Sequence, residues 1–305
     1  MLFLTGPTAA GKTALAVELV EKYPFEIVSV DSALVYRGMD IGTAKPDAEI
    51  LRRAPHRLID ILDPAEPYSA ARFCNDAARE IEEIRNNGNI PLLVGGTMLY
   101  FKALQFGLST LPESDSEVRS TLEYGLKNNG LEYLYDLLVK VDPVAAERIN
   151  RNDPQRIMRA LEVYEISGVP MTTLQEQEKR RGLDADSLLM VAISPDDRSV
   201  LHQRIERRLL DMVDGGFIEE VEGLKLRVDL SPDIPSMRAV GYRQVWDYLD
   251  GGIDREEMIF RATVATRQLA KRQLTWLRNW PAPVQWMEPG ESGAAERILK
   301  NMIDI

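Results

Sequence analysis

The segment LFLTGPTAAGKTALAVEL, residues 2–19, joins an apolar run, a glycine-containing turn and a run with helical spacing. Its centre fits the pattern G-x-x-x-x-G-K-[ST], in which backbone N–H groups and a helix N-terminus surround phosphate oxygens. We therefore predict a strand at 2–5, a helix at 12–22 and a phosphate-binding loop between them. The pattern does not indicate which phosphate compound is bound. The predicted phosphate-binding residues are Gly6, Pro7, Thr8, Ala9, Ala10, Gly11, Lys12 and Thr13.

The composition is that of a soluble protein. The chain has 305 residues, 45% hydrophobic and 28% charged, and its apolar runs are too short to span a membrane. A single cysteine, Cys74, excludes a disulfide within the chain, and two histidines are too few for the usual Cys/His zinc sites. These features predict a cytosolic location.

The net charge of −11 argues at first sight against a nucleic-acid partner. Basic residues nevertheless cluster within 148–159, 198–208 and 267–278. Such clusters are usually solvated helix faces paired with acidic residues, but a local basic patch can also bind RNA. Charge alone leaves both interpretations open.

Strand-like and helix-like segments alternate along the first part of the chain. Alternation of this kind predicts an α/β fold in which helices cover both faces of a parallel sheet, here a P-loop NTPase-like core. Helical spacing predicts helices at 69–87 and 255–278. Besides 2–5, the predicted strands are 26–30, 57–61, 91–95 and 188–194.

Residues 114–181 differ from this pattern because they are helical and polar and contain no convincing strand. Asp142-Pro143 and Asp153-Pro154 each predict a helix start, with an aspartate cap followed by proline at the first helical position. We therefore predict two domains. Residues 1–113 and 182–305 form the core with its C-terminal helices, and 114–181 form an all-helical insertion.

Polar residues follow two of the predicted strands. Asp31 comes after the strand at 26–30, at the sheet edge where α/β proteins bind ligands. It can bind a metal ion, act as a base or simply stabilise a turn. After 91–95, the Gly95-Gly96 pair permits close approach of a ligand, and Thr97 can cap a helix or bind a substrate. This strand lacks the aspartate that organises Mg²⁺ in many P-loop ATPases, which argues against a hydrolysing motor.

Six motifs occur in an order and spacing specific to one family. With them, the chain resembles the bacterial tRNA dimethylallyltransferases, also called tRNA isopentenylpyrophosphate transferases, from residue 2 to about residue 280. The motifs are GPTAAGKT (6–13), VDSALVYRGMDIGTAKP (30–46), LVGGTMLYFKAL (93–104), NDPQRIMRALEVY (152–164), RAVGYRQVW (238–246) and TRQLAKRQLTWLR (266–278).

The resemblance implies transfer of a dimethylallyl group from dimethylallyl diphosphate to N6 of adenine 37 in tRNAs that read codons beginning with U. Diphosphate would leave, held by the loop, by Arg208 and by Mg²⁺ at Thr13. Lys12 would help to stabilise its charge, Asp31 would be the general base, and Thr97 would orient the reacting groups. The implied partners are dimethylallyl diphosphate and the tRNA anticodon stem-loop, with no membrane, and we expect a monomer.

By the same resemblance, tRNA contacts lie in both predicted domains. The implied tRNA-binding residues are Asp31, Ser32, Ala33, Leu34, Thr97, Arg119, Gln155, Arg156, Ile157, Met158, Arg159, Arg238, Ala239, Val240, Gly241, Tyr242, Arg243, Lys271, Arg272, Gln273, Leu274, Thr275, Trp276, Leu277 and Arg278.

Two residues depart from the family pattern. Many relatives have serine at the position of Ala10, so a hydroxyl contact is lost while the backbone donors remain. Many have glutamine at the position of Leu34. A leucine side chain cannot form the hydrogen bonds to a base that glutamine can form. Two other functions use the same loop: a kinase that binds ATP there, and an RNA-binding protein that senses a phosphorylated ligand without catalysis.

Overall fold

A computed structural model describes residues 1–177, 182–183 and 188–303. Within these residues, six strands form one sheet: β1 (Leu2–Thr5), β2 (Phe25–Val30), β3 (His56–Arg57), β4 (Ile90–Gly95), β5 (Leu189–Ile193) and β6 (Gln285–Met287). Their order in space is β3-β2-β4-β1-β5-β6, and every neighbouring pair is parallel. The predicted α/β fold with a parallel sheet is confirmed.

Four of these strands, β1, β2, β4 and β5, confirm predicted strands. The strand predicted at 57–61 is wrong. β3 ends at Arg57 because Leu58 and Asp60 adopt φ angles of 61° and 56°, a left-handed backbone that cannot continue a strand. β6 has three residues, too few to show an alternating pattern, and is absent from the predicted strands.

The sheet belongs to a compact unit formed by Met1–Ala103 and Asp184–Ile305. The predicted helices at 12–22 and 255–278 are confirmed, and the predicted helix at 69–87 is α3 with its two capping residues. The helices that lie in this unit, wholly or in larger part, are α1 (Lys12–Lys22), α2 (Ala48–Arg53), α3 (Ala70–Asn86), α4 (Met98–Phe106), α9 (Arg198–Asp214), α10 (Phe217–Lys225), α11 (Tyr242–Leu249), α12 (Arg255–Arg278) and α13 (Ala294–Ile303).

Helices cover both faces of the sheet. On one face, Leu19 of α1 and Ile298 of α13 share a core with Leu4 and Ile27 of the strands. On the other, the ring of Phe3 packs against Phe101 of α4 at 4.9 Å between centroids. Successive strand residues point to opposite faces, so the apolar runs of β1 and β2 fill both cores.

Residues Leu104–Leu183 form a second compact unit. The sequence predicts an insertion at 114–181, whose last residue lies outside the described part of the chain. Asp142 and Asp153 accept hydrogen bonds from the third residue of the helices they cap, as predicted. Gly130, at φ 82° and ψ 174°, interrupts α5. The helices of this unit are α5 (Ser116–Val141), α6 (Pro143–Arg148), α7 (Pro154–Ser167) and α8 (Met171–Gln177).

Candidate active site

The predicted phosphate-binding loop connects β1 to α1. Gly6 has a φ of 149°, and a Cβ atom there would lie 2.2 Å from the backbone oxygen of Ile193, so only glycine fits. Gly11, at φ 95°, precedes α1. The Lys12 ammonium folds back over the loop and donates hydrogen bonds to the carbonyl oxygens of Gly6 (3.0 Å) and Pro7 (2.9 Å). The loop is therefore a closed turn with a positive charge on its inner side.

A cavity of about 680 Å³ lies beside this loop. Residues that follow β1, β2 and β4 line it together, which places it at the carboxyl edge of the sheet. Much of the remaining wall is apolar, with Met98, Leu209 and Leu269 among its residues. The predicted site residues that line this cavity are Thr8, Ala9, Lys12, Thr13, Asp31, Ser32, Ala33, Leu34, Thr97, Arg208, Arg238, Ala239, Val240, Gly241, Tyr242, Arg272, Gln273 and Trp276.

Asp31 directly follows β2, and one of its carboxylate oxygens stabilises the next turn. Oδ1 accepts hydrogen bonds from the backbone N–H groups of Ala33 (2.8 Å) and Leu34 (3.3 Å). The turn-stabilising role considered from the sequence is thus confirmed. Oδ2 accepts no hydrogen bond from any residue that the structure describes. One oxygen therefore fixes the carboxylate, and the other is available to a bound molecule in the cavity.

Thr97 connects the segments that follow β4 and β2. Its Oγ1 accepts a hydrogen bond from the Ser32 N–H at 3.1 Å. At the two preceding glycines, Gly95 and Gly96, other atoms of the protein occupy the space that a Cβ atom would need. A Cβ atom at Gly95 would lie 2.0 Å from the backbone oxygen of Val30, and one at Gly96 would lie 2.4 Å from Nε2 of Gln273. Both glycines also line the cavity.

Three charged groups act on one another around the loop. Burial, followed by the charge of Arg208, lowers the pKa of Lys12 to about 8, and the Asp31 carboxylate opposes this shift. Burial also lowers the pKa of Arg208, again opposed by Asp31. Two cations that lack full hydration therefore lie near one carboxylate. This arrangement favours the binding of an additional anion.

A second cavity, of about 590 Å³, borders the outer side of the same loop. Arg204 and Arg207 of α9 line it together with Ala10 and Gly11, and Arg208 lines both cavities. Neither Arg204 nor Arg207 forms an ion pair with an acidic residue in the described ranges. The arginines of α9 thus place positive charge in both of the cavities that border the loop, where anions can reach it.

Several predicted tRNA-binding residues are exposed cations. Arg243, Lys271, Arg272 and Arg278 are exposed, and none of them pairs with an acidic side chain in the part of the chain that the structure describes. Arg238 lies 3.8 Å from Asp233. Thr275 is exposed as well. These side chains are accessible to a polyanion.

Other members of the predicted tRNA-binding set are buried in the protein interior. These side chains have little exposed surface, although Tyr242 and Gln273 line the cavity, and their contact with tRNA stays a prediction. The buried members are Ile157, Met158, Tyr242, Gln273, Leu274 and Leu277.

In the second unit, Arg159 also has a structural role. It donates hydrogen bonds to the carboxylate of Glu162 (2.8 Å) and to the carbonyl oxygen of Pro112 (2.6 Å). The Glu162 side chain is only 1% exposed, so it needs these partners. Arg156, which is 71% exposed and 3.3 Å from Asp153, and the exposed Gln155 remain accessible. Arg119 pairs with Glu123 at 3.4 Å.

Glu220 is a structural determinant of the site that the sequence did not reveal. Its carboxylate accepts hydrogen bonds from the backbone N–H groups of Asp40 (2.9 Å), Ile41 (2.7 Å) and Gly42 (3.1 Å). Gly42 lines the cavity, so Glu220 fixes one of its walls from α10. Nothing local in the sequence marks this glutamate, because its partners lie far away along the chain.

Ser29 has an unusual hydroxyl group. The side chain is buried within the sheet, and its Oγ has no hydrogen-bond partner among the residues that the structure describes. Ser29 lines the same cavity as Asp31, two residues further along the chain.

Among the described residues, no group of three or more His, Cys, Asp or Glu side chains is arranged to hold a metal ion. The hydroxyl of Thr13 and the carboxylate of Asp31 nevertheless line one cavity. They are hard oxygen donors of the kind that Mg²⁺ accepts alongside substrate oxygens and water, so the residues fit this ion. No helix in the described ranges combines the length and the apolar character needed to cross a membrane.

Comparison with known proteins gives a consistent result. Residues 34–280 match the sequence pattern of a family described as IPP transferase. The tRNA isopentenylpyrophosphate transferase of Bacillus halodurans is 39% identical, over 99% of this chain and 94% of that one, with a TM-score of 0.69.

Two further solved structures are similar. The tRNA delta(2)-isopentenylpyrophosphate transferase of Staphylococcus epidermidis is 30% identical, over 100% of this chain and 99% of that one, with a TM-score of 0.69. A eukaryotic dimethylallyltransferase acting on tRNA is 26% identical, over 100% of this chain and 79% of that one, with a TM-score of 0.82.

Proposed function

The chain belongs to the IPP transferase family, and from this we propose that it transfers a dimethylallyl group from dimethylallyl diphosphate to N6 of adenine 37 in tRNAs that read codons beginning with U. The observation that supports this most directly is a single cavity lined by both a phosphate-binding loop and a carboxylate, represented by Lys12, Thr13 and Asp31. Such a cavity can hold a diphosphate leaving group close to a proton acceptor.

In the proposed step, the adenine N6 attacks C1 of the donor. A C–N bond forms, the C1–O bond breaks, and the electron pair of that bond leaves with diphosphate. The N6 lone pair is delocalised into the ring, which makes N6 a poor nucleophile. N6 loses a proton as the C–N bond forms, because the nitrogen would otherwise become positively charged. The oxygen Oδ2 of Asp31, which has no other partner among the described residues, accepts this proton.

The loop stabilises the leaving group. Backbone N–H groups at the start of α1, the Lys12 ammonium and Arg208 oppose the negative charge that develops on diphosphate. One preorganised donor of this kind contributes about 3 kcal/mol to the reduction of a reaction barrier. Hydrogen bonds to the carbonyl oxygens of Gly6 and Pro7 hold the Lys12 ammonium over the loop.

The apolar wall suits the prenyl group, and the remaining volume suits a base. A stacked adenine in the anticodon loop cannot present N6 to Asp31, so the nucleotide must be flipped into the cavity at a cost of a few kcal/mol. The exposed cations Arg243, Lys271 and Arg272 provide positive charge for the phosphates of the stem-loop.

We also propose that Mg²⁺ acts with the loop and that Thr13 holds it. When bound, the ion offsets negative charge on the leaving diphosphate. Thr13 contributes an exposed hydroxyl at the first turn of α1.

The direct test is mass spectrometry of an unmodified tRNA anticodon stem-loop after incubation with the protein, Mg²⁺ and dimethylallyl diphosphate. We expect the mass of one five-carbon unit on the adenine beside the anticodon, with no nucleotide required. A stem-loop without adenine at that position is the control. An unmodified product would reject the proposal, and phosphate transfer from ATP to a small acceptor would favour a kinase instead.

A further inference from the structure

Gln273 joins the two halves of the cavity. Its Oε1 accepts a hydrogen bond from the Thr8 N–H in the phosphate-binding loop, and its Nε2 donates one to the Gly96 carbonyl oxygen, both at 2.9 Å. The side chain is 7% exposed, so neither bond competes freely with water. One buried amide thus connects the segment that follows β1 with the segment that follows β4.

The local geometry is built for this amide. A carboxamide offers one acceptor and one donor at its end, which match an N–H group on one side and a carbonyl on the other. Glutamate would lose the donor, and methionine would lose both groups. Gly96 has no side chain, which allows the approach, since a Cβ atom there would lie 2.4 Å from Nε2.

The helix that carries Gln273 is firmly placed. Its neighbours Ala270 and Leu274 are buried against Leu201 and Ile205 of α9 in one apolar cluster. On the same helix, Arg272 and Trp276 line the cavity. The amide is therefore held by a packed helix rather than by a mobile loop.

The hydrogen bonds continue beyond Gly96. The next residue, Thr97, accepts a hydrogen bond from the Ser32 N–H, and the adjacent Asp31 stabilises the turn that follows. A connected path therefore leads from Thr8 through Gln273 and Gly96 to the segment that carries Asp31. Its first part lies beside the predicted diphosphate site, and its last part holds the predicted base.

We propose that Gln273 is a positioning residue that sets the separation between the diphosphate-binding loop and the segment holding Asp31 and Thr97. This inference rests on the proposed function, because it matters only where a leaving group and a base act on one bond. It differs from the role implied by the family pattern, which makes Gln273 a contact to tRNA. Small errors in the distance between reacting groups reduce rates strongly, so the link affects turnover more than binding.

The test compares Gln273→Met with Gln268→Met, a matched change at an exposed position on the same helix. For Gln273→Met we expect kcat to fall roughly 10²-fold. Donor affinity should fall roughly fivefold, because the Thr8 N–H loses its partner within the loop. Affinity for the tRNA stem-loop should stay within about twofold of wild type, and Gln268→Met should match wild type in all three quantities.

Two results would overturn the proposal. One is a folded Gln273→Met variant whose kcat stays within about threefold of wild type. The other is a roughly tenfold loss of tRNA affinity with normal kcat at saturating tRNA, which would make Gln273 an RNA contact.

Amide hydrogen exchange of the wild-type protein gives a test that needs no variant. The Thr8 N–H should be protected in the absence of donor, because Gln273 already holds it, and rapid exchange would reject the link. Failure of the proposed function would look different. Wild-type protein would then transfer no prenyl group, while the effect of Gln273→Met on the affinity for inorganic diphosphate could still be measured.

Discussion

Lys12 and Asp31 carry opposite charges into one cavity, Lys12 from the phosphate-binding loop and Asp31 from the end of β2. Burial and the neighbouring Arg208 lower the pKa of Lys12 to about 8, and the carboxylate of Asp31 limits this effect. The chain thus places a cation and a carboxylate within electrostatic range of each other. In the proposed reaction, Lys12 acts on the leaving diphosphate and Asp31 on the attacking nitrogen.

Asp31→Asn separates catalysis from binding. The amide keeps an oxygen that can accept the hydrogen bonds from Ala33 and Leu34, so the turn should persist. It cannot accept the proton from N6 at neutral pH, so we expect kcat to fall roughly 10²-fold or more. We expect tRNA binding largely to survive. Single-turnover transfer measures the change in rate, and filter binding of the stem-loop measures the tRNA affinity.

Asp211→Asn is the matched control. Asp211 lines the outer cavity with Arg204 and Arg208, so its change removes one negative charge near the same loop without touching the base. We expect a rate close to that of wild type. Loss of tRNA binding in Asp31→Asn, with unchanged turnover of whatever complex remains, would contradict the assignment of Asp31.

The affinity for dimethylallyl diphosphate should fall as the pH rises through about 8, the pKa of Lys12 in the free protein. Below that pH the ammonium is charged and attracts diphosphate, and above it the amine is neutral. Bound diphosphate stabilises the ammonium and raises its pKa, so affinity declines between the free and bound values. Titration calorimetry over a pH series measures this decline.

Lys12→Met removes the titrating group and should abolish the step in affinity, besides weakening binding at pH 7. Lys12→Arg keeps its charge over this range and should show no step either. Ionisation of the donor itself affects all three proteins equally. Identical pH profiles for wild type and Lys12→Met would therefore show that Lys12 is not the group responsible.

Much of the fold could be predicted because its signals are local. The loop at 6–13 needs glycine, lysine and threonine at fixed spacing. An Asp-Pro pair indicates the start of a helix. The segment at 57–61 misled the prediction because its apolar pattern resembles a strand, whereas Leu58 adopts a left-handed backbone. That conformation is set by the surrounding fold, and the pattern of apolar residues does not indicate it.

The candidate site could be predicted only in part. Motifs identify Lys12 and Asp31 because their roles depend on the ends of strands and helices. They do not show which side of a helix faces inward, so buried Leu274 and exposed Lys271 look equally suitable for RNA. The partners of Gln273 and Glu220 lie far away along the chain, and only the folded structure reveals them.

Alanine substitutions at Gly95 and Gly223 should change the free energy of unfolding in opposite directions. A Cβ atom at Gly95 would lie 2.0 Å from the backbone oxygen of Val30, so two neighbouring strands would have to move apart. We expect the free energy of unfolding to fall by about 1–3 kcal/mol. Gly223 lies within α10 with open space around it, and alanine there should stabilise the protein by about 0.5–1 kcal/mol.

Urea unfolding of both variants, followed by circular dichroism, measures these changes. Gly95→Ala with wild-type stability would mean that β2 and β4 tolerate the extra atom and that the close contact is not required. Destabilisation by Gly223→Ala would show that α10 has a neighbour at this position, contrary to the structure.

Arg159 and Arg156, three residues apart on α7, should behave differently when changed to alanine. Arg159 holds the buried carboxylate of Glu162, which also accepts hydrogen bonds from Ser114 and from the Asp115 N–H. Because those partners remain, we expect Arg159→Ala to lower the free energy of unfolding by about 1–3 kcal/mol rather than to unfold the protein. Urea unfolding measures this loss.

Arg156→Ala should leave stability unchanged, because the side chain is 71% exposed and its ion pair with Asp153 is a surface contact. If Arg156 binds a phosphate of the stem-loop, the variant should bind tRNA more weakly. The slope of log affinity against log salt concentration should then become shallower by about one, since one fewer counterion is released. Fluorescence anisotropy of a labelled stem-loop at several salt concentrations gives this slope, and an unchanged slope would remove Arg156 from the RNA interface.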